Sequence, residues 1–223
     1  MYKNCIKRCL DLIVSLFGLI CLSPALIILY FVIRKKMGAP VFFTQMRIGK
    51  DEKPFKMIKF RTMTDARDKD GNLLPDTERF SPFGDFLRNS SLDELPELIN
   101  VLKGDMSLVG PRPLYAKYLP YYTREENLRH TVRGGITGLA QINGRALCRW
   151  NDRFAYDCKY VREMSLWNDL KILYRTVFKV AAKDDIGIPS VTDEGGLHIV
   201  REIQQPEKIQ YVNDMLNKYK CNQ

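Results

Sequence analysis

The chain has 223 residues, 45% of them hydrophobic and 27% charged, with a formal net charge of +9. That length supports one domain with appendages and a sizeable core, and the positive balance implies an acidic partner: anionic lipid, a nucleotide or nucleic acid. Two histidines and six cysteines without CxxC spacing make a His-based triad and a zinc site unattractive, and the cysteines read as reduced thiols of a cytosol-facing protein.

The first element is membrane-directed. Leu12 to Ile33 carries no charge and would reach about 33 Å as a straight helix, enough to cross a bilayer. Lys3, Lys7 and Arg8 precede it and Arg34, Lys35 and Lys36 follow it, so the positive-inside preference pulls both ends to the cytoplasm. Ser23-Pro24 interrupts its middle, and each half, at about 18 Å, is too short to span. A helix that dips into one leaflet and returns satisfies both observations; an ordinary spanning helix with a proline kink is the alternative.

Val41–Phe43 and Phe55–Met63 read as two short strands joined through Gly49-Lys50-Asp51, a small β-hairpin. Alternation puts Lys59 and Arg61 on one face of the second strand. Asp65 to Glu78 is a charged loop whose Asp68-Lys69-Asp70 matches the DxD of metal-dependent glycosyltransferases, but the following Gly71-Asn72 favours a hydrated turn. Next comes the most informative stretch, Ser91-Leu92-Asp93-Glu94-Leu95-Pro96 through Gly104-Asp105 to Gly110-Pro111-Arg112-Pro113. Leu95, Leu98, Ile99 and Leu102 recur at helical spacing with Gly104 as a stop, which puts Asp93 and Glu94 in or just before the first turn. Ser91 and Glu94 fit a capping box. That leaves Asp93 unexplained, and also Arg112, aimed by the two prolines around it.

Farther on, Pro113–Tyr122 is rich in leucine and tyrosine and offers a second interfacial piece. Leu166 to Lys183 is an amphipathic helix with Lys171, Arg175, Lys179 and Lys183 on one stripe and Leu166, Leu170, Leu173, Val177 and Val180 on another, a pattern suited to the headgroup region. No GxGxxG, Walker A sequence or internal repeat occurs.

Lys59-Phe60-Arg61-Thr62-Met63, Ser91 through Ser107, Val109-Gly110-Pro111-Arg112-Pro113 and Gly138-Leu139-Ala140-Gln141-Ile142-Asn143-Gly144-Arg145 resemble the motif series of the bacterial sugar transferases, more narrowly the small monotopic phosphoglycosyl transferases. The likeness runs from Lys7-Arg8 and Asp11 to about Lys183; Gly134-Gly135 stands where the family usually has proline then glycine, which loosens a turn there. The resemblance implies an α+β, mostly helical fold: a re-entrant membrane helix over 1–36, a catalytic domain with interfacial helices over 37–183, and a tail over 184–223 of unassigned role. It implies transfer of a sugar-1-phosphate from a UDP-sugar, of the N-acetylated amino-sugar kind, to undecaprenyl phosphate at the cytoplasmic face of the bacterial inner membrane, with UMP released. Asp93 is then the nucleophile, and Asp93 and Glu94 the Mg2+ ligands. Lys59, Arg61, Arg88 and Arg112 neutralise phosphates, Gln141, Asn143 and Arg145 contact nucleotide or sugar, and Asp105 serves there or structurally. Membrane lipids are partners and nucleic acid is not, since Leu12–Ile33 is an odd companion for it. The rivals are a DxD-type glycosyltransferase using Asp68 and Asp70 and a non-enzymatic basic membrane-surface adaptor.

Overall fold

The computed structural model describes residues 2–144, 149–182 and 196–220. After a π-helical turn at Tyr2–Ile6, helix α1 runs over Lys7–Met37 with Pro24 inside it. Proline has no N–H to give the carbonyl of Ile20 four residues back. The Ser23 hydroxyl donates to that carbonyl at 2.7 Å instead, so the Ser-Pro pair keeps its backbone acceptor satisfied. Ile13, Phe17, Ile20, Ile27, Ile28 and Phe31 are exposed along α1, an apolar surface of the kind that lipid covers.

Both ends of α1 are fastened to the same globular body. At its start the Lys7 ammonium meets Asp169 at 2.6 Å, and Asp169 also accepts from the hydroxyls of Tyr2 and Tyr160. Arg8 donates to the carbonyls of Val101 and Leu102, and Asp11 accepts the N–H of Leu108 at 3.1 Å. At its end, fully buried Ile33 packs with Val41, Phe60 and Leu87.

The hairpin follows as β1 (Phe42–Ile48) and β2 (Pro54–Phe60), antiparallel with Phe43 opposite Lys59 and Arg47 opposite Phe55. Asp68 accepts the N–H groups of Asp70 and Asn72, so the DxD sequence forms a turn closed on its own backbone. Short α2 (Asp76–Arg79) and α3 (Pro82–Asn89) lead to a 3-10 turn at Leu92–Glu94 and then α4 (Glu97–Lys103). Gly104 ends α4 at φ +94°, a left-handed conformation that favours glycine. Strands β3 (Met106–Val109) and β4 (Gly134–Thr137) pair in parallel. Gly134-Gly135 thus begin a strand rather than a loosened turn. A side chain on Gly135 would stand 2.1 Å from the Gly110 nitrogen, so only glycine fits there.

Helices α5 (Leu139–Gly144), α6 (Trp150–Glu163), α7 (Leu166–Ala182), α8 (Leu197–Val200) and α9 (Lys208–Lys220) complete a mostly helical α+β chain. Pro113–Tyr122 is not an interfacial piece: Leu114, Ala116, Tyr118, Leu119 and Tyr122 lie buried with Trp150 and Phe154 in the largest core cluster. Its leucine and tyrosine content reflects packing. Leu197, Val212 and Met215 join that cluster from the tail, and Lys208 pairs with Glu52, so residues 196–220 close one side of the core. On α7 the inward face is Asp169, Ile172 and Leu173, while Trp167 and Tyr174 are 66% and 67% exposed beside Leu170, Val177 and Phe178.

Candidate active site

The 3-10 turn and α4 bring three carboxylates to one place, because Asp93, Glu94 and Glu97 are spaced to share a helical face. Lys59 reaches them from β2, its ammonium 2.7 Å from Glu94 Oε1, 3.3 Å from Glu97 Oε1 and 4.0 Å from Asp93 Oδ2. Arg112 comes from the opposite side. It ion-pairs with Glu94, forks onto both oxygens of Glu97 at 3.3 Å, and donates to the Ile136 carbonyl at 2.9 Å. The loop carrying Arg112 is held rigidly: Arg129, paired with Asp157, donates to the Arg112 carbonyl at 2.6 Å, and Gly135 N–H donates to the Pro111 carbonyl.

Asn100, fully buried, staples α4 to β2. Its amide oxygen accepts from Ile58 N–H at 2.9 Å, and its nitrogen donates to the Lys56 carbonyl at 2.7 Å and to Asp105. Asp105 is therefore structural, and Asn100 fixes the height of Lys59.

The charges sort the carboxylates. Burial pushes Glu94 upward, but Arg112 and Lys59 outweigh it and hold Glu94 down at about 2, permanently ionised. Asp93 is only 7% exposed, and burial together with the Glu94 charge raises it to about 6. Among the described residues its sole partner is the distant Lys59, so its oxygens keep free lone pairs. Glu97, with no exposure at all, is raised by burial against the pull of Arg112.

Not every expected residue joins this cluster. Arg61 lies beyond the end of β2 and donates to the carbonyls of Ala39 and Pro40, with Asp65 as its ion-pair partner. Its N–H still bonds the Val41 carbonyl at 2.9 Å, and its guanidinium ties down the exit of α1. Arg88 donates to the Thr62 hydroxyl at 2.9 Å and stacks over Phe80, with no contact to the carboxylates. The Ser91–Glu94 capping box does not form: Ser91 is left-handed and makes no cap bond, while Glu94 is committed to Lys59 and Arg112. Gln141 donates to the Ile136 carbonyl, which Arg112 also uses, and its buried Oε1 has no partner. Asn143 bonds within its own helix, and Arg145 lies outside the described residues.

Among the described residues no group of three or more His, Cys, Asp or Glu is arranged to hold a metal. Two carboxylates suffice for magnesium, which keeps waters and takes its other ligands from substrate phosphates. The unpartnered oxygens of Asp93 beside ionised Glu94 fit such an ion.

His130, next to the Arg112 loop, is not an acid–base candidate. Its Nδ1 faces the Gly49 carbonyl at 3.2 Å, its Nε2 is buried without a partner, and burial plus Arg129 lower it to about 3. An unfolded histidine titrates near 6.5, so the unfolded chain binds the extra proton first and stability falls as pH drops below about 6.5. Between pH 7.5 and 5 this residue is expected to cost about 2 kcal/mol. Thermal unfolding of His130→Gln against the parent across that range should show the gap closing at low pH; parallel curves would refute it.

A family model described as bacterial sugar transferase matches residues 2–183, so the chain belongs to that family. It is 52% identical over 181 residues to the "Uncharacterized sugar transferase EpsL" of Bacillus subtilis (strain 168), covering 81% of this chain and 90% of the relative. The "UDP-glucose:undecaprenyl-phosphate glucose-1-phosphate transferase" of Klebsiella pneumoniae is 44% identical over 184 residues, 78% of this chain and 39% of that one. The "Undecaprenyl-phosphate galactose phosphotransferase" of Salmonella typhimurium (strain LT2) is 37% identical over 197 residues, 80% of this chain and 41% of that one. The chain thus spans about two fifths of the length of these last two relatives.

Proposed function

We propose that this chain is a phosphoglycosyl transferase that moves a sugar-1-phosphate from a UDP-sugar to undecaprenyl phosphate, releasing UMP, as the first membrane step of glycan assembly. One juxtaposition carries this reading. The carboxylate of Asp93, with only the distant Lys59 near it, lies just before α4, and Pro96 and Ile99 farther along that segment wall an apolar groove of about 410 Å3 completed by Leu19, Leu26 and Tyr30 of α1 with Phe60. A charged centre whose own segment, at Pro96 and Ile99, walls a hydrocarbon groove suits an acceptor with a phosphate head and an isoprenoid chain. The undecaprenyl-phosphate transferases among the relatives support the same substrates.

Asp93 attacks the sugar-bearing phosphorus, the bond to the UMP oxygen breaks, and an aspartyl phosphosugar forms. A phosphate oxygen of undecaprenyl phosphate then attacks the same phosphorus and frees Asp93. Splitting the transfer lets the water-soluble and lipid substrates be used in turn. Lys59 and Arg112 fix the carboxylates and face the charge that develops. Asp93 and Glu94 would hold Mg2+, which supplies charge neutralisation at the phosphates. The sugar is proposed to be an N-acetylated amino sugar. A panel of UDP-sugars, including those of glucose and galactose, tested with undecaprenyl phosphate and magnesium for UMP release decides both points. Release from none of them would overturn the reading.

We propose further that the enzyme is monotopic, with both ends of α1 on the cytoplasmic face of the inner membrane. The anchoring of Lys7 and Arg8 at one end and Ile33 at the other to one polar body supports this, as do the basic flanks. The exposed Trp167–Phe178 stripe of α7 would rest in the headgroups. In a cysteine-free background, Asn4→Cys and Gly38→Cys should both resist an impermeant thiol reagent on intact spheroplasts and react after lysis. Labelling of Asn4→Cys from outside would mean that the chain crosses the bilayer.

A further inference from the structure

Among the described residues Arg47 forms no ion pair with a carboxylate, and Glu97 is the one carboxylate whose charge it feels. The hairpin register places Arg47 with Phe43 and Gln45 on the sheet face that carries Lys59, about 13 Å farther along the strand direction. Its guanidinium donates to Gln45 Oε1 at 2.5 Å and to the Pro113 carbonyl at 3.4 Å, beside the Arg112 backbone, and stacks 3.7 Å over the Tyr115 ring. Nε is buried and has no partner. The cations around the carboxylate cluster and the core each face a carboxylate, Lys7 with Asp169, Arg129 with Asp157, and Arg112 with Glu94 and Glu97, whereas Arg8 and Arg133 on the far side of α4 donate to backbone carbonyls. Among the described residues the oxygens that accept from Arg47 are neutral.

Desolvating a guanidinium without a counter-charge is costly, and two neutral acceptors give no reason to bear that cost, since a glutamine would serve them. A ligand that brings its own negative charge does give one. Lys59 and Arg112 are already matched against three carboxylates, so a diphosphate arriving at the site needs a cation outside that set. Resting on the transferase reading above, we infer that Arg47 binds the phosphate that departs with the nucleotide, with Tyr115 holding the guanidinium plane in place. The phosphorus under attack then lies at Asp93 and the leaving phosphate lies toward Pro113. This assigns Arg47 as a donor-binding residue and separates the nucleotide end of the site from the groove end.

The test is direct binding of UMP to the full chain in lipid nanodiscs, which needs no turnover. Arg47→Gln keeps a polar donor on the side chain but removes the charge; it should weaken UMP at least about tenfold and raise KM for the UDP-sugar similarly, with KM for undecaprenyl phosphate unchanged. Arg47→Lys keeps the charge and should recover part of the loss; it carries the comparison if the glutamine variant unfolds. UMP affinity equal to the parent in either folded variant overturns the assignment of Arg47 while leaving a parental enzyme that releases UMP intact. A parent that neither binds UMP nor turns over would instead overturn the transferase reading, and this assignment with it.

Discussion

Asp93→Asn is expected to lower turnover by a factor of about 10⁴ or more, the scale seen when a covalent nucleophile is removed. An amide has nearly the shape of the carboxylate but cannot form the acyl phosphate. The substitution is also clean structurally. Asp93 accepts no hydrogen bond among the described residues and meets only Lys59, at 4.0 Å, so no network collapses with it. Burial and Glu94 raise its pKa to about 6, and a carboxylate whose folded pKa is raised costs stability at neutral pH. The amide variant is therefore expected to melt no lower than the parent. A quench after mixing with labelled UDP-sugar, followed by peptide mapping, should place the phosphosugar on Asp93. Label on Glu94, or an active Asn variant, would sink the assignment.

The sequence makes some of this site readable and hides the rest for definite reasons. Local patterns worked where one element acts alone: the hairpin, the Gly104 stop and the 166–182 helix all follow from period and punctuation. Glu97 too is legible in the sequence, because its spacing from Asp93 and Glu94 puts it on their face. Arg61 shares the hairpin with Lys59, its N–H bonded to the Val41 carbonyl, but only the folded chain shows its guanidinium turned to the carbonyls at the exit of α1. Pro113–Tyr122 has the composition of an interfacial segment, and only packing against Trp150 and the tail reveals it as core. Asn100 and Arg47 are long-range cases: one is a staple between α4 and β2, the other a cation defined by the carboxylate it lacks. Neither property exists until the chain is folded.

Chelation is expected to abolish turnover, with magnesium or manganese restoring it. Asp93, Glu94 and Glu97 set three carboxylates against Lys59 and Arg112, so an ionised site already carries one surplus negative charge before a diphosphate adds two more. Side-chain cations do not repair that surplus at the reacting phosphorus. Lys59 and Arg112 are engaged, Arg88 is turned to Thr62, and Arg47 lies toward Pro113. A divalent ion can bridge phosphate oxygens and a carboxylate at once. Glu94, held ionised at about 2, remains available to it at any working pH. Glu94→Gln should consequently raise the magnesium concentration needed for half-maximal rate, a shift that a purely structural role for Glu94 would not produce. Full turnover in metal-free buffer with chelator present would refute the metal requirement. It would also require the surplus charge to be met by protonating Glu97, with Asp93 left ionised to attack.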